Sequence, residues 1–65
     1  MSEIFAKRLR EARKRKRVTQ DWMARHLGIH RTTYTKYETA GVEPSLDIFC
    51  QITKLLDINP ADLLE

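Results

Sequence analysis

The side chains best suited to chemistry in this chain of 65 residues are polar groups clustered between residues 31 and 36. They are Arg31, Thr32, Thr33, Thr35 and Lys36. Arginine and lysine can donate to guanine or to phosphate, and threonine can bond to a base or pack its methyl group against thymine. Threonine is a poor helix former, so three of them in a helical stretch indicate a role other than helix stability. The segment predicts a polar surface that binds a hydrogen-bonding partner.

Two histidines and one cysteine are the other candidates for chemistry. His26 and His30 are four residues apart, but Gly28 interrupts the helix that would place both on one face, and no further ligand completes a zinc set. Cys50 lies beside an apolar stripe, where a small buried residue is expected. No nucleophile is paired with a base, and no glycine-rich phosphate loop is present. The sequence therefore predicts no enzyme, no bound metal and no small-molecule cofactor.

The stretch from residue 19 to residue 38 has the pattern of two short helices joined by a tight turn. Thr19 can cap the first helix. Gly28 can adopt the left-handed conformation that ends a helix, and Ile29 then returns an apolar side chain to the core. The inward-facing residues of the two helices are Met23, Ala24, Leu27, Tyr34 and Tyr37. This pattern predicts a helix-turn-helix, a motif typical of DNA-binding proteins.

Three more helices are predicted around this pair. Ser2 can cap the first, Ser45 can cap the fourth, and Asn59-Pro60 with Asp62 can open a short fifth. Their inward-facing residues are Phe5, Leu9 and Ala12, then Leu46, Phe49, Ile52, Thr53 and Leu56, then Leu63. No run alternates apolar and polar residues as a strand would. We expect one compact all-α domain over residues 1–65, with five helices and a central helix-turn-helix.

Charge is distributed unevenly along the chain, whose formal net charge is +3. Residues 1–17 hold eight Lys or Arg and two Glu, whereas residues 39–65 hold one Lys and five acidic residues. A basic half and an acidic half suit a protein that lays one end on a polyanion. The single cysteine excludes an internal disulfide. With no signal peptide and no apolar run of membrane-spanning length, the sequence predicts a cytoplasmic protein that does not bind membranes.

Several features of this pattern together resemble one known family. They are the Thr19-Gln20 entrance, Ala24, Leu27-Gly28-Ile29, Tyr37-Glu38, Pro44-Ser45-Leu46, Ile58 and Leu63. In this order and spacing, nearly the whole chain resembles the phage repressor and Cro-like helix-turn-helix domains. The resemblance implies a lambda-repressor-like fold in which Arg31, Thr32 and Lys36 read bases in the major groove. It also implies that Gln20 fixes the register of the protein on the DNA backbone.

Further contacts and departures follow from the same resemblance. Besides the matched residues, we expect His30, Thr33, Thr35 and Arg17 to contact the DNA backbone. Arg13 and Glu38 are implied to form a partly buried ion pair that ties the first helix to the end of the third. His30 replaces the usual Ser or Thr cap, so it is either a weak cap or a phosphate contact. The departures from the family pattern are Arg17 and Ala40 in place of glycine, and Val42 with Glu43 in place of loop cations.

These features predict a sequence-specific, double-stranded DNA-binding transcriptional regulator that binds a two-fold operator as a homodimer. One short recognition helix reads only a few base pairs, and a second copy doubles the contacts. The apolar residues expected to exceed the needs of the core, and so to form the dimer surface, are Ile48, Leu55, Ile58 and Leu64.

Other readings of the sequence remain open at this point. An antitoxin or a restriction-modification controller of the same fold would also bind an operator. A protein-interaction module that has lost DNA binding would not need the polar residues Arg31 and Lys36, which argue against it. A basic membrane-surface helix would need the apolar stripe of residues 5–12 for the membrane, but the core requires that stripe. Trp22 is expected to be largely exposed, and it either packs on the first helix or contacts a partner or the sugar-phosphate backbone.

Overall fold

Five helices follow one another in the computed structural model, which describes residues 2–64 apart from the Ser2 side chain. They are α1 (Ser2–Lys16), α2 (Gln20–Leu27), α3 (Arg31–Thr39), α4 (Leu46–Leu56) and α5 (Ala61–Leu64). Across residues 2–64 no strand is formed, which confirms the predicted all-α architecture. The predicted Ser2 cap lies outside the described side chains. Over the same range, every helix is too short or too polar to cross a membrane.

The core lies where the five helices meet, and α1 supplies one wall of it. Phe5, Leu9 and Ala12 recur at helical spacing and are buried. The other buried members of the core are Met23, Ala24, Leu27, Tyr34, Tyr37, Ile52, Leu56 and Leu63. Because α3 packs against both α1 and α2, its orientation is fixed from two sides and its remaining face points outward.

The turn between α2 and α3 has the geometry that the sequence predicts. The Thr19 side chain accepts a hydrogen bond from the Trp22 amide at 3.0 Å, which caps α2. Gly28 has φ 69° and ends the helix in the left-handed conformation. The next amide, that of Ile29, donates to the carbonyl of Ala24 at 3.0 Å. The two helices are therefore joined by a short turn whose first half is closed by backbone hydrogen bonds from Gly28 and Ile29.

Two residues other than glycine also adopt the left-handed conformation. Arg17 has φ 64° directly after α1, and Asp57 has φ 53° directly after α4. A side chain with a Cβ atom is strained in this region, although aspartate tolerates it better than arginine does. The expectation that Arg17 makes the first turn less relaxed than a glycine would is confirmed by its backbone angle.

The link between α3 and α4 places its left-handed residue one position later than the family pattern implies. Ala40 stands where glycine is usual, and it has an ordinary φ of −106°. Gly41 has φ 66° instead. The Ala40 amide donates to the Lys36 carbonyl at 2.9 Å, so α3 is closed normally before the chain turns. The glycine missing at position 40 is thus replaced by its neighbour.

Two predictions about α4 are wrong. Leu46 was expected in the core, but it is 76% exposed, because it is the first residue of the helix and no other element covers that end. Cys50 was expected to be buried, but it is exposed. It lies one turn from Asp47 and one turn from Lys54, both also exposed, so it belongs to the solvent side of the helix.

The short α5 begins one residue later than predicted. Pro60 precedes it in a turn, and Leu63 is fully buried. The Asp62 carboxylate accepts a hydrogen bond from the Asn59 amide at 3.3 Å. The start of α5 is therefore stabilised by a side chain of its first turn, which accepts a hydrogen bond from the Asn59 amide as the N3 residue of a capping box does.

Candidate nucleic-acid interface

The outward face of α3 carries the three residues predicted to read bases. Arg31, Thr32 and Lys36 are all exposed, and Thr33 beside them is exposed as well. The opposite face of the helix is buried through Tyr34, Tyr37 and Glu38. The structure therefore exposes these four predicted polar side chains in the first two turns of α3, directly after the α2–α3 turn, whereas Thr35 is half-buried.

His30 stands at the N-cap position of α3 but does not cap it. Its backbone is extended, and its side chain makes no capping hydrogen bond. Thr19 caps α2 and Ser45 caps α4 through their hydroxyl groups. The sequence left two roles open for the exposed His30 side chain, a helix cap or a phosphate contact. The structure forms no cap. The first-turn amides of α3 are thus left without a side-chain acceptor at the N-cap.

A buried carboxylate joins α3 to the first helix. Arg13 Nε donates to Glu38 Oε2 at 2.7 Å, and Arg13 Nη2 donates to Oε1 at 3.2 Å. The side chain of Glu38 is fully buried and that of Arg13 is only 12% exposed. The structure thus brings together the pair that the family resemblance implies, in a two-pronged geometry that fits a guanidinium to a carboxylate.

The Tyr34 hydroxyl is a partner of this carboxylate that the sequence did not predict. It donates to Glu38 Oε2 at 2.5 Å from one turn earlier on α3. Tyr34 was expected only as an apolar core residue. The four-residue spacing between the two side chains was the signal that could have identified the bond, because such residues meet on one face of a helix.

Charge and burial act against each other in this cluster. Burial opposes ionisation of Glu38, but hydrogen bonds from Arg13, Tyr34 and Gln20 outweigh it and lower the pKa of the carboxyl group below its ordinary value. The hydrogen bond to Glu38 raises the pKa of Arg13. Burial, followed by the bond to Glu38, raises the pKa of the Tyr34 hydroxyl. The ion pair therefore stays charged and the phenol stays neutral.

Gln20 and Thr35 are bonded to each other inside the protein. Thr35 Oγ1 donates to Gln20 Oε1 at 3.0 Å, and Gln20 Nε2 donates to Glu38 Oε1 at 3.1 Å. Both residues are half-buried. The sequence assigned each of them separately to the DNA backbone and missed the contact between them. The angle between α2 and α3 creates this contact, and residue spacing alone does not reveal it.

The first helix holds the end of α3 through a second arginine. Arg10 Nη1 donates to the backbone carbonyl of Glu38 at 3.0 Å. Arg13 also donates to the carbonyl of Val18 at 2.8 Å, and so ties α1 to the segment that leads into α2. Arg10 was not predicted, although its position three residues before Arg13 places both on one face of α1. These bonds fix the angle at which α3 is presented.

Trp22 is packed at the junction of α1 and α2. The ring is half-buried and stacks on His26, with ring centroids 3.9 Å apart and planes inclined by 23°. Lys16 from the end of α1 places its Nζ atom 5.9 Å from the indole centroid. The expectation that Trp22 is largely exposed is wrong, because its two neighbours cover it. Packing against the first helix is the role that the geometry favours.

A basic surface lies next to the start of α2. Lys14, Arg15, Lys16 and Arg17 are all exposed at the end of α1 and in the turn after it. Arg17, predicted to contact the DNA backbone, is separated from α2 by only two residues. Arg15 also lines a cleft beside α5, so Lys16, which lies over the indole of α2, and Arg17 are the members nearest the start of that helix. Positive charge is therefore concentrated beside the helix pair.

The predicted dimer residues are divided between core and surface. Ile48, Leu55 and Ile58 are half-buried and pack against the core. Leu64 is 42% exposed. It lines an apolar groove of about 320 Å³ together with Phe5, Glu43, Pro44, Leu46 and Phe49. The apolar surface available to a partner is thus centred on Leu46 and Leu64, of which only Leu64 belongs to the predicted set.

The fold and the exposed polar face of α3 define a helix-turn-helix protein. Residues 4–65 match a family described as a helix-turn-helix domain, and the chain belongs to that family. The membership that the resemblance implied is therefore confirmed. Within residues 2–64, no three His, Cys, Asp or Glu side chains come together as a metal site.

Two relatives come from Bacillus subtilis strain 168. The chain is 39% identical over 62 residues to the uncharacterized HTH-type transcriptional regulator YqaE. The aligned region covers 95% of this chain and 53% of YqaE. The chain is 36% identical over 62 residues to the SPbeta prophage-derived uncharacterized HTH-type transcriptional regulator YonR, covering 95% of this chain and 57% of that protein. The chain therefore spans about half the length of the curated relatives it matches.

A solved structure is similar over almost its whole length. The restriction-modification controller protein C.AhdI from Aeromonas hydrophila superposes with a TM-score of 0.85 at 31% sequence identity. The match covers 95% of this chain and 94% of that chain. The similarity extends beyond the helix-turn-helix to the complete five-helix arrangement.

Proposed function

We propose that this domain binds double-stranded DNA in a sequence-specific manner and regulates transcription, with α3 as the helix that enters the major groove. The observation that carries the proposal is the exposed set of Arg31, Thr32 and Lys36 on a helix held rigidly from behind. The N-terminal turns of such a helix meet base edges, and an arginine fork there can hold guanine through O6 and N7.

Backbone contacts position the domain in this proposal. Gln20 lies at the start of α2, and His30 and Thr33 lie at the start of α3. We expect these three residues to contact phosphates. The basic surface that ends in Arg17 extends the contact along the phosphates. The loop carrying Val42 and Glu43 is exposed and has no cation at these two positions, so we expect fewer backbone contacts from it.

The domain acts as a homodimer on a two-fold operator in the same proposal. The structure extends 26 × 22 × 21 Å, less than the roughly 34 Å of one DNA helical turn that separates two half-sites. One copy therefore covers one half-site. The groove at Leu46 and Leu64 offers the apolar surface for pairing, and it lies in the chain half where acidic residues predominate. Acidic residues suit contact with protein better than contact with DNA.

A second candidate is favoured by the solved relative. C.AhdI is named as a restriction-modification controller, and its similarity covers nearly the full length of both chains. A controller of that kind would use the same DNA-binding surface, so the two candidates differ in the operator and in the regulated genes. An antitoxin would in addition bind a second protein, and purification with and without its genetic neighbours would separate these roles.

Selection of bound duplexes from a random DNA pool tests the proposed function. We expect a motif with two-fold symmetry and G·C pairs opposite Arg31 in each half-site. Affinity for the selected duplex should fall steeply with salt, with a log-log slope of about 0.9 for each phosphate neutralised. A pool that stays random, or an affinity that does not change between low and moderate salt, would overturn the DNA-binding proposal. A motif with a single half-site would overturn the homodimer alone.

A further inference from the structure

The carboxamide of Gln20 lies between two groups that allow it only one orientation. An ionised carboxylate can only accept hydrogen bonds, so the Glu38 side chain must face the amide nitrogen of Gln20. The distance from Nε2 to Glu38 Oε1 is 3.1 Å. The amide oxygen then faces Thr35, whose hydroxyl donates to it at 3.0 Å. Thr35 and Glu38 therefore hold the two ends of the carboxamide.

The Glu38 carboxylate has no further capacity for Gln20. Its oxygens accept two bonds from Arg13, one from Tyr34 and one from Gln20. A carboxylate offers about four lone-pair sites, so all of them are in use. The second N–H of the Gln20 amide has no acceptor among the side chains and backbone of residues 3–64. Gln20 is only half-buried, so an acceptor from outside the protein can reach part of its side chain.

Thr35 itself has nothing left to donate to a phosphate. A hydroxyl group carries one hydrogen, and that of Thr35 is donated to Gln20. Phosphate oxygens only accept hydrogen bonds, so Thr35 cannot contact a phosphate through its hydroxyl while the bond to Gln20 persists. This geometry argues against the direct backbone contact that the sequence predicts for Thr35.

We propose that Thr35 is a positioning residue for DNA-backbone binding: its hydroxyl holds the Gln20 carboxamide so that the remaining N–H is donated to a phosphate oxygen. The inference rests on the proposed DNA-binding function. Without the hydroxyl, the Gln20 oxygen would face a methyl group, and the side chain would leave this position for water. The phosphate would then lose a donor that is already in place before binding.

A double-mutant cycle on the selected duplex tests the inference. Thr35→Val and Gln20→Ala should each weaken binding about two- to tenfold, the range for one neutral hydrogen bond. Thr35→Val in the Gln20→Ala background should have no further effect, because Thr35 acts only through Gln20. Thr35→Ser keeps the hydroxyl and should restore wild-type affinity. Neither Gln20 nor Thr35 is charged, so the salt slope should stay at its wild-type value in all four variants.

Three results would overturn the positioning role. A full additional loss from Thr35→Val in the Gln20→Ala background would mean that Thr35 contacts DNA itself. Wild-type affinity in Thr35→Val, with a lowered urea midpoint, would mean that the bond only stabilises the fold. Failure of Thr35→Ser to rescue binding would exclude the hydroxyl as the cause. A wild-type chain that binds no duplex would overturn the proposed function as well, so the two failures are distinguishable.

A spectroscopic measurement checks the same geometry without relying on affinity. The two side-chain amide protons of Gln20 give separate NMR signals. On addition of the selected duplex, one of them should shift and exchange more slowly in the wild type and in Thr35→Ser, and neither should do so in Thr35→Val. Equal behaviour of wild type and Thr35→Val would contradict the inference.

Discussion

Tyr34 and Glu38, one turn apart on α3, share a hydrogen bond of 2.5 Å that is shielded from solvent. The same carboxylate receives Arg13 from α1 and Gln20 from α2. Three helices are therefore joined at one buried group. This arrangement holds α3 from its inner side and leaves its opposite face exposed for a partner.

Breaking the ion pair should show that its two members depend on each other. We expect Arg13→Ala or Glu38→Ala to lower the free energy of unfolding by about 3 kcal/mol, because each leaves an unpaired buried partner. The double variant should cost less than the sum. Urea denaturation of the wild type, the two single variants and the double variant measures these free energies. The exposed Asp21–Arg25 pair, at 3.6 Å, is the control and should show almost no coupling. Additive losses at Arg13 and Glu38 would contradict the pairing.

The Tyr34 hydroxyl should contribute far more to stability than the Tyr37 hydroxyl. Tyr34→Phe removes a donor from a buried carboxylate and should lower the free energy of unfolding by about 1.5–3 kcal/mol. Tyr37 is the control, because its ring is also buried, but among the described residues its hydroxyl has no protein partner and is open to solvent. Tyr37→Phe should stay within about 0.5 kcal/mol of wild type. Similar losses in both variants, measured by thermal or urea unfolding, would count against the bond.

Acid should unfold the protein in part through Glu38. Its pKa is lower in the folded state than the ordinary value of 4.5. The ionised group therefore contributes its full stability above that ordinary value, and the contribution is lost as pH falls through the lower folded value. Glu38→Gln should be less stable at neutral pH but should lose less on acidification. The exposed Asp21→Asn should lose stability on acidification as wild type does. Parallel acid profiles for wild type and Glu38→Gln would contradict this assignment.

Replacing Arg17 by glycine should stabilise the fold. The left-handed backbone at φ 64° strains any residue with a Cβ atom, and relief outweighs the greater freedom of glycine in the unfolded chain by about 0.5–1 kcal/mol. Lys16→Gly is the control: it lies in α1 and should instead lose about 0.5–1 kcal/mol. Urea midpoints compare the two. If both glycines destabilise equally, Arg17 is not strained.

Arg31 should determine one base position in each half-site. Arg31→Ala should cost about 1–3 kcal/mol of binding free energy and relax the preference at one symmetric pair of positions. Arg25→Ala removes the same charge from the exposed side of α2, outside the proposed interface, and should leave the motif unchanged. Repeating the random-pool selection with both variants makes the comparison. An unchanged motif with Arg31→Ala would restrict Arg31 to the phosphates.

Local rules predicted most of the fold because helix ends and helix faces depend on near neighbours. The caps at Thr19 and Ser45 and the left-handed Gly28 each require only a few consecutive residues. The buried stripe of Phe5, Leu9 and Ala12 likewise follows from spacing within one helix. These features could be read from the chain in order.

The residues that were misplaced depend on how helices meet. Leu46 has the correct helical phase for the core, but the first turn of α4 has no neighbour to cover it. The Gln20–Thr35 bond and the Arg10 contact arise from the angles between helices, which spacing does not determine. The candidate site was therefore predicted as a list of residues, whereas the internal bonds that orient it required the structure.

The missing cap at His30 has a consequence for local unfolding. With no side chain to hold its first amides, the start of α3 should open more often than the starts of α2 and α4, which Thr19 and Ser45 close. Hydrogen exchange at the amides of Arg31, Thr32 and Thr33 should be correspondingly fast in the free protein. If α3 enters the major groove as proposed, the turn that meets the bases is the least fixed part of that helix, and we expect it to become ordered when DNA binds.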